Sequence, residues 1–518
     1  MYNEKIAIPL LPGECWWGGA VHDGTQMPFG ERRHERDLLG DLAYNQGNPL
    51  LVSSKGRYVW SDEPFRFMLA DSAVLIEGAK GSFTIGTDGG NVREAFLQAS
   101  RAHFPPSGTH PDLRFFSVPQ YNTWMEMSYE PTQDKVLAYA EAILEHGLPP
   151  GILMIDDNWH EDYGTLAFHP GRFPDPARMI DRLHELGFRV MLWVCPFISP
   201  DGEAFRMLRQ RGYLLRDGAG NPIVREWWNG YSAVLDGSHP EAVNWFAGEL
   251  DRLIDTYGVD GFKLDAGDPQ YYRPDDVSAL PMTPNGQCEA WARIGLRYAF
   301  NEYRACWKCA GQPLVQRLSD KNHSWGRDGL ASLIPNGLAQ GLAGYAFNCP
   351  DMVGGGQYGD LIRPDFEVDG ELFVRYAQCS ALFPMMQFST APWRVLDETH
   401  LEHCIEAARL HTRMGKEIAS LAKSAAATGE PIMRHLAYVF PEAGYERVND
   451  QFMLGDDILV APVLEKGADS RKVSFPPGTW LGDDGSTVIG PCEREVAAPL
   501  SRLPWYRRHK SGREESLA

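Results

Sequence analysis

Gly258-Val259-Asp260-Gly261-Phe262-Lys263-Leu264-Asp265-Ala266-Gly267-Asp268 follows the amphipathic run EAVNWFAGELDRLIDTYG (241–258), and this junction decides the fold. A helix-like segment stops on a glycine, a short apolar strand begins, and the strand ends on carboxylates and a small-residue turn. The same unit recurs upstream. FFSVPQYN (115–122) precedes PTQDKVLAYAEAILEHG, GILMIDDNW (151–159) precedes DPARMIDRLHELG, and RVMLWVCPF (189–197) precedes EAFRMLRQRG. These strands are continuously apolar instead of alternating, as expected where helices cover both faces of a parallel sheet. PLVQRLS (313–319), LAGYAFNCPD (342–351), MMQFS (385–389) and PIMRHLAYV (431–439) raise the count of candidate strands to eight. Eight strands argue for a closed (β/α)8 barrel over an open sheet, and no glycine phosphate fingerprint marks a doubly wound fold.

Outside this region the rhythm changes. Residues 47–90 hold short β-branched and aromatic runs punctuated by turn residues, and DDILVAPVL, RKVSF and PPGTW do the same after about Pro441. The expected organisation is an N-terminal β-sandwich-like domain (1–106), a barrel (107–440) and a C-terminal β-sandwich domain (441–518). The final HKSGREESLA reads as a solvated tail. A hydrophobic fraction of 43% against 23% charged residues is that of a soluble globular chain. The formal charge of −20 disfavours nucleic acid and anionic membranes as partners. The first residues lack a basic segment followed by an apolar core, no stretch approaches ~20 apolar residues, and the expected location is cytoplasmic. Nine scattered cysteines suit reduced thiols. Cys306 and Cys309 form a C-x-x-C in a stretch that reads as helix, without the second pair or histidines that would complete a zinc set.

Barrel enzymes work at the C-terminal ends of their strands. There this chain places Asp156 and Asp157, Asp265 and Asp268, and Asp351, with Tyr121, Trp124, Trp159, Trp193, Trp227 and Trp228 nearby. Aromatic faces beside carboxylates suit the flat C–H faces of sugar rings. Two facing carboxyls, one ionised and one protonated, are what glycoside cleavage needs. Asp265 suits the ionised role, since Lys263 beside it favours the carboxylate. For the protonated partner the candidates are Asp320 and Asp328. Asp328 is preferred because Trp325 in its glycine-flanked loop offers an apolar wall, and Asp320 reads as a surface residue.

The motifs NPLLVSSKGRYVW, GVDGFKLDAGD, GLAGYAFNCPDMVGGG, TGEPIMRHL and QFMLGDDILVAPVLEKGADSRKVSFPPGTW resemble glycoside hydrolase family 31, in the family's order from about Pro49 to Trp505. REWWNGYSAVLD, HSWGRDGLASLIP and FPMMQFSTAPW resemble its myogenesis-regulating glycosidase branch, which is linked with α-galactoside cleavage. The resemblance implies a retaining exo-acting α-glycosidase with Asp265 as nucleophile and Asp328 as general acid/base. It implies a sugar pocket drawn from Asp156, Asp157, Trp159, Trp228, Arg317 and Asp351, to which the reading of the strand ends and loops adds Trp193, Lys263, Trp325 and Ser389. Ser389 matches the position where the family's glucosidases usually carry a sugar-binding histidine, which points away from α-glucosides. The alternatives are an α-glucosidase, sulfoquinovosidase or α-xylosidase of the same family, or a non-catalytic sugar-binding barrel. A metal-dependent hydrolase is a further rival, disfavoured because the strand ends offer almost no histidine. The expected partner is an α-linked oligosaccharide or glycoside, with no cofactor and no metal, and a homo-oligomer is compatible with these features.

Overall fold

Eight short parallel strands are laid side by side, each followed by chain that returns over the outside. In the computed structural model, which describes residues 3–509 other than 31, 41–45, 71, 361–362 and 364–365, we number them as follows. They are β1 (Gln120–Asn122), β2 (Ile152–Ile155), β3 (Arg189–Val194), β4 (Gly261–Leu264), β5 (Phe300–Tyr303), β6 (Gln316–Arg317), β7 (Asn348–Cys349) and β8 (Gln387–Phe388). They pair in parallel in the order β7-β6-β5-β4-β3-β2-β1-β8. The amide of Val353, just past β7, donates to the Gln387 carbonyl at 2.8 Å and draws the remaining seam together. Burial follows the expected logic, since every residue of β2 and β4 is buried, as strands sandwiched between helices and a filled barrel interior require.

The helices obey their sequence signals. Asp175 caps Pro176–Glu185 by accepting from the Arg178 amide, and Gly258 ends Pro240–Tyr257 in the left-handed conformation at φ 76°. The long helix Glu398–Thr428 starts on Asp397 and stops on Gly429 at φ 78°. The described N-terminal strands form a four-stranded sheet and four strands of a five-stranded one, and the described C-terminal strands form a six-stranded sheet.

Three expectations are corrected. Phe300–Tyr303 is the fifth barrel strand, so Gln316–Arg317 is the sixth, Asn348–Cys349 the seventh and Gln387–Phe388 the eighth. Met433–Arg434, expected in the barrel, instead pairs antiparallel with Phe452–Leu454 in the C-terminal sheet. The C-x-x-C is not helical. Cys306–Trp307 is a strand that pairs in parallel with Gln46–Gly47 of the N-terminal sheet, and Cys309 lies in a turn at φ 50°. Both are buried free thiols whose burial pushes their pKa upward, so neither is poised for thiolate chemistry. The tail beyond residue 509 lies outside the described residues.

Candidate active site

The C-terminal mouth of the barrel holds a cavity of about 410 Å³, within the ~300–1,000 Å³ usual for small-ligand sites. Its charged floor is assembled by strand register. Trp193 on β3, Lys263 on β4 and Glu302 on β5 are directly paired neighbours, so their side chains share one level inside the barrel. Lys263 Nζ stands 2.7 Å from Asp156 Oδ2 and 3.5 Å from Asp265 Oδ2. Trp193 donates its indole N–H to Asp265 Oδ2 at 2.7 Å, and the Ala266 amide donates to Oδ1 at 2.9 Å. Ala266 itself takes φ 53° and Gly267 φ 73°, the sharp turn that exposes the carboxylate just past the strand. Burial pushes the Asp265 carboxyl up, but the Lys263, Arg304 and Arg317 charges and the Trp193 hydrogen bond outweigh it. The group is held well below the usual carboxylate range and is ionised throughout the working pH range.

Two arginines form the opposite wall. Arg317, at the end of β6, is fully buried and points Nη1 at Asp351 Oδ1 (2.7 Å) and Asp320 Oδ1 (2.9 Å). Arg304, one residue past β5, reaches Asp268 Oδ1 with Nε (3.4 Å) and Asp320 Oδ2 with Nη1 (3.6 Å), and its Nε lies 3.9 Å from Asp265 Oδ1. The Arg304 guanidinium lies against the Trp228 indole at 4.8 Å. Trp228 sits at the tip of a hairpin (Val224–Trp227 paired with Gly230–Val234) that crosses the mouth, and the adjacent Asn229 ties the tip to the far wall. Asn229 donates to Asp157 Oδ2 at 2.6 Å and accepts from the Tyr129 hydroxyl at 2.7 Å.

Of the residues expected from sequence, Asp156, Asp157, Trp193, Trp228, Lys263, Asp265 and Arg317 line the cavity. The others lie outside the lining of this cavity and make their contacts elsewhere. Trp159 is fully buried behind Trp193, donating to its carbonyl at 2.7 Å. Trp325 donates to Asp369 at 3.1 Å. Asp351 is spent on Arg317 and on the amides of Lys321 and Gly356. Ser389 Oγ accepts from the Met125 amide at 2.8 Å and buttresses the loop after β1. Asp328 is exposed on its loop, its carboxylate held by Ser324 Oγ and Asn322 Nδ2 at 2.7 Å each, and those hydrogen bonds lower its pKa. It does not line the cavity. Asp320, read from sequence as a surface residue, does. Sequence reasoning also passed over Arg304, Tyr129, Tyr271 and Tyr358, which complete the wall. The strand-end rule, applied to β6 as found, would have pointed to Asp320, and Arg304 was hidden with the unrecognised β5. Among the described residues no three His, Cys, Asp or Glu side chains are grouped as a metal ion would need.

Asp157 gives a stability test of this wall. Burial, then the Asp156 charge, push its carboxyl up to about 7, against the counter-effects of Asn229 and Tyr163. A carboxyl whose folded-state value is raised contributes stability below its unfolded value of ~4, and that contribution is lost as pH rises through about 7. At ~1.4 kcal/mol per unit the loss is at most on the order of 4 kcal/mol. Melting temperatures across pH 4–8 should therefore decline in the parent relative to Asp157→Asn. Parallel curves would mean that Asp157 titrates normally.

Comparison with known proteins follows this geometry. The sequence model of the glycosyl hydrolases family 31 TIM-barrel domain matches residues 119–414, and that of the family's C-terminal domain matches 429–511. The chain is 36% identical to the myogenesis-regulating glycosidase of Mus musculus over 77% of this chain and 57% of the relative. It is 28% identical to a SITS-binding protein of Tetronarce californica over 64% of this chain and 49% of that one. A Flavobacterium johnsoniae GH31 dextranase complexed with glucose superposes with a TM-score of 0.87 at 22% identity, covering 98% of this chain and 67% of that structure. The chain thus spans about half the length of these curated relatives. With a barrel-domain match over more than half its length and this relative at 36% identity, the chain belongs to glycoside hydrolase family 31.

Proposed function

We propose that the protein is a retaining exo-acting α-glycosidase in which Asp265 is the nucleophile and Asp320 the general acid/base. One observation carries this reading: a single cavity presents an ionised carboxylate held by Lys263 and Trp193 and, across the Arg304 guanidinium, a second carboxyl. In the first step an Asp265 oxygen attacks the anomeric carbon while the glycosidic C–O bond breaks, and the departing oxygen takes the Asp320 proton. In the second, water attacks the same carbon and gives its proton to the Asp320 carboxylate. The bond to Asp265 breaks, and the sugar leaves with its original configuration. Following the anomer first released from an α-glycoside by proton NMR tests this, and a β-anomer as first product would replace double displacement by inversion.

For the sugar, we propose an α-galactoside over an α-glucoside. Support comes from the resemblance in the WWNG and MMQFSTAPW segments and from the paired Asp156 and Asp157. Asp156 is held by Lys263, while Asp157 holds its proton up to about pH 7, so acceptor and donor stand side by side for a hydroxyl. A site that leaves one epimer's hydroxyl unpaired discriminates at ~1–3 kcal/mol per lost partner. The expected result is a kcat/KM for nitrophenyl α-galactoside at least ~10-fold above that for the α-glucoside. A preference for the glucoside or xyloside would reassign the sugar and leave the two-step mechanism standing.

A further inference from the structure

The loops after β1, β2 and β3 meet in one side chain that stands outside the cavity lining. Asn229, at the tip of the hairpin, directs Nδ2 at Asp157 Oδ2 (2.6 Å) and at the Tyr163 hydroxyl (2.7 Å), while its Oδ1 accepts from the Tyr129 hydroxyl at 2.7 Å. An amide has one accepting and one donating end, so with Tyr129 on the oxygen both N–H groups are committed to the far wall. The Tyr163 hydroxyl, having accepted from Asn229, gives its own hydrogen to Asp157, 3.2 Å from Oδ2 and 3.3 Å from Oδ1. The donors converge on Asp157, and the short contact falls on Oδ2. The amide is steadied from below, where Trp227 stacks on Phe197 at 4.2 Å and meets Tyr163 edge-on at 4.9 Å. Gly230, at φ 93°, closes the turn.

We infer that Asn229 is a specificity-determining positioning residue: by holding Asp157 Oδ2 it leaves Oδ1 as the oxygen that meets the sugar hydroxyl defining the epimer. This rests on the galactoside reading of the Asp156 and Asp157 pair. A carboxyl that turns over about its Cβ–Cγ bond exchanges its two oxygens, and the Asn229 donor prevents that exchange. Burial and then the Asp156 charge push the Asp157 carboxyl up to about 7, and an oxygen already accepting a short N–H bond is the poorer seat for the hydrogen it keeps. That hydrogen sits on Oδ1. Asp156, engaged by Lys263 at 2.7 Å, supplies an acceptor beside it. A 4-hydroxyl of one orientation then finds both partners, and the opposite orientation leaves the Asp157 hydrogen unpaired.

The test uses a substrate from which that hydroxyl has been removed. The 4-deoxy nitrophenyl α-glycoside is one compound for both epimers, because its carbon 4 carries no hydroxyl. Its kcat/KM is measured beside those of the α-galactoside and the α-glucoside for the parent, Asn229→Ala and Asn229→Asp. The aspartate keeps the shape and the bond from Tyr129, but it accepts where asparagine donates and so draws the Asp157 hydrogen onto Oδ2. Both variants should lower kcat/KM for the galactoside by about ten-fold or more, the effect of one well-placed hydrogen bond, and the galactoside-to-glucoside ratio should fall with it. The 4-deoxy compound should change by less than about three-fold. A merely structural loosening of the hairpin lowers all three substrates alike. An equal loss on all three, or an unchanged galactoside rate in either variant, overturns the inference, and if Asn229→Ala fails to fold then Asn229→Asp decides it alone. A parent that prefers the glucoside would refute the sugar assignment separately. A loss in the variants that still spares the 4-deoxy compound would then keep Asn229 in its positioning role, and one that does not would overturn both.

Discussion

Asp265→Ala is expected to lower turnover of every α-glycoside by ~10⁴-fold or more, because a double displacement has no second route to its covalent intermediate. The same substitution opens a small space beside Lys263 Nζ and the Trp193 indole N–H, both of which are aimed at the missing carboxylate. A small anion such as azide or formate should bind there and restore part of the rate with activated aryl glycosides. Azide attacking the anomeric carbon from the Asp265 side would give a glycosyl azide of inverted configuration, identifiable by NMR. Near-parental activity in the variant would remove Asp265 from the mechanism. Recovery of an azide adduct with retained configuration would place the nucleophile elsewhere.

The second large effect separates Asp320 from Asp328. Asp320→Asn should slow glycosides with poor leaving groups by ~10²–10⁴-fold and activated aryl glycosides far less, because only the former depend on a proton delivered to the departing oxygen. Asp328→Asn should leave both classes within about two-fold, since an exposed carboxylate held by Ser324 and Asn322 has no path to the scissile bond. Steady-state kinetics on a nitrophenyl glycoside and the matching disaccharide make the comparison. The reverse pattern would return the acid/base role to Asp328 and imply that its loop folds inward when substrate binds.

Much of this architecture is legible in the chain because the barrel's inner chemistry is written as short apolar runs ending in carboxylates. Asp156, Asp157 and Asp265 stand out on that basis, and Trp193 and Lys263 follow from their strands. Phe300–Tyr303 does not stand out. Its Asn301 and Glu302 are polar: Asn301 donates to the Tyr298 and Pro313 carbonyls, and Glu302 Oε2 accepts from Gln387 inside the barrel. A strand that faces a buried polar cluster lacks the apolar signature on which a sequence reading relies. Missing it displaced every later strand by one and drew Met433–Arg434 into the count. The Asp320 and Asp328 alternative has a similar origin. The two lie eight residues apart after one strand, and which turns inward is decided by Arg304 and Arg317, contacts that local pattern does not encode. Trp325, whose apolar bulk favoured Asp328, is committed to Asp369.

The strand Cys306–Trp307 has a consequence for how the molecule can be divided. It leaves the barrel between β5 and β6 to complete a sheet whose other strands come from the first hundred residues. From that sheet Gln46 Nε2 donates to the carbonyl of Arg304 at 2.7 Å and also to that of Arg317, so one N-terminal side chain pins the backbone of both pocket arginines. The barrel is therefore not a transplantable module. A catalytic fragment cut at the proline-rich junction near residue 105 would keep every carboxylate and lose the clamp that sets the distance between its two guanidinium groups. In grafting or shuffling experiments with relatives, the first hundred residues and the β5–β6 connection have to be exchanged as one inheritable piece.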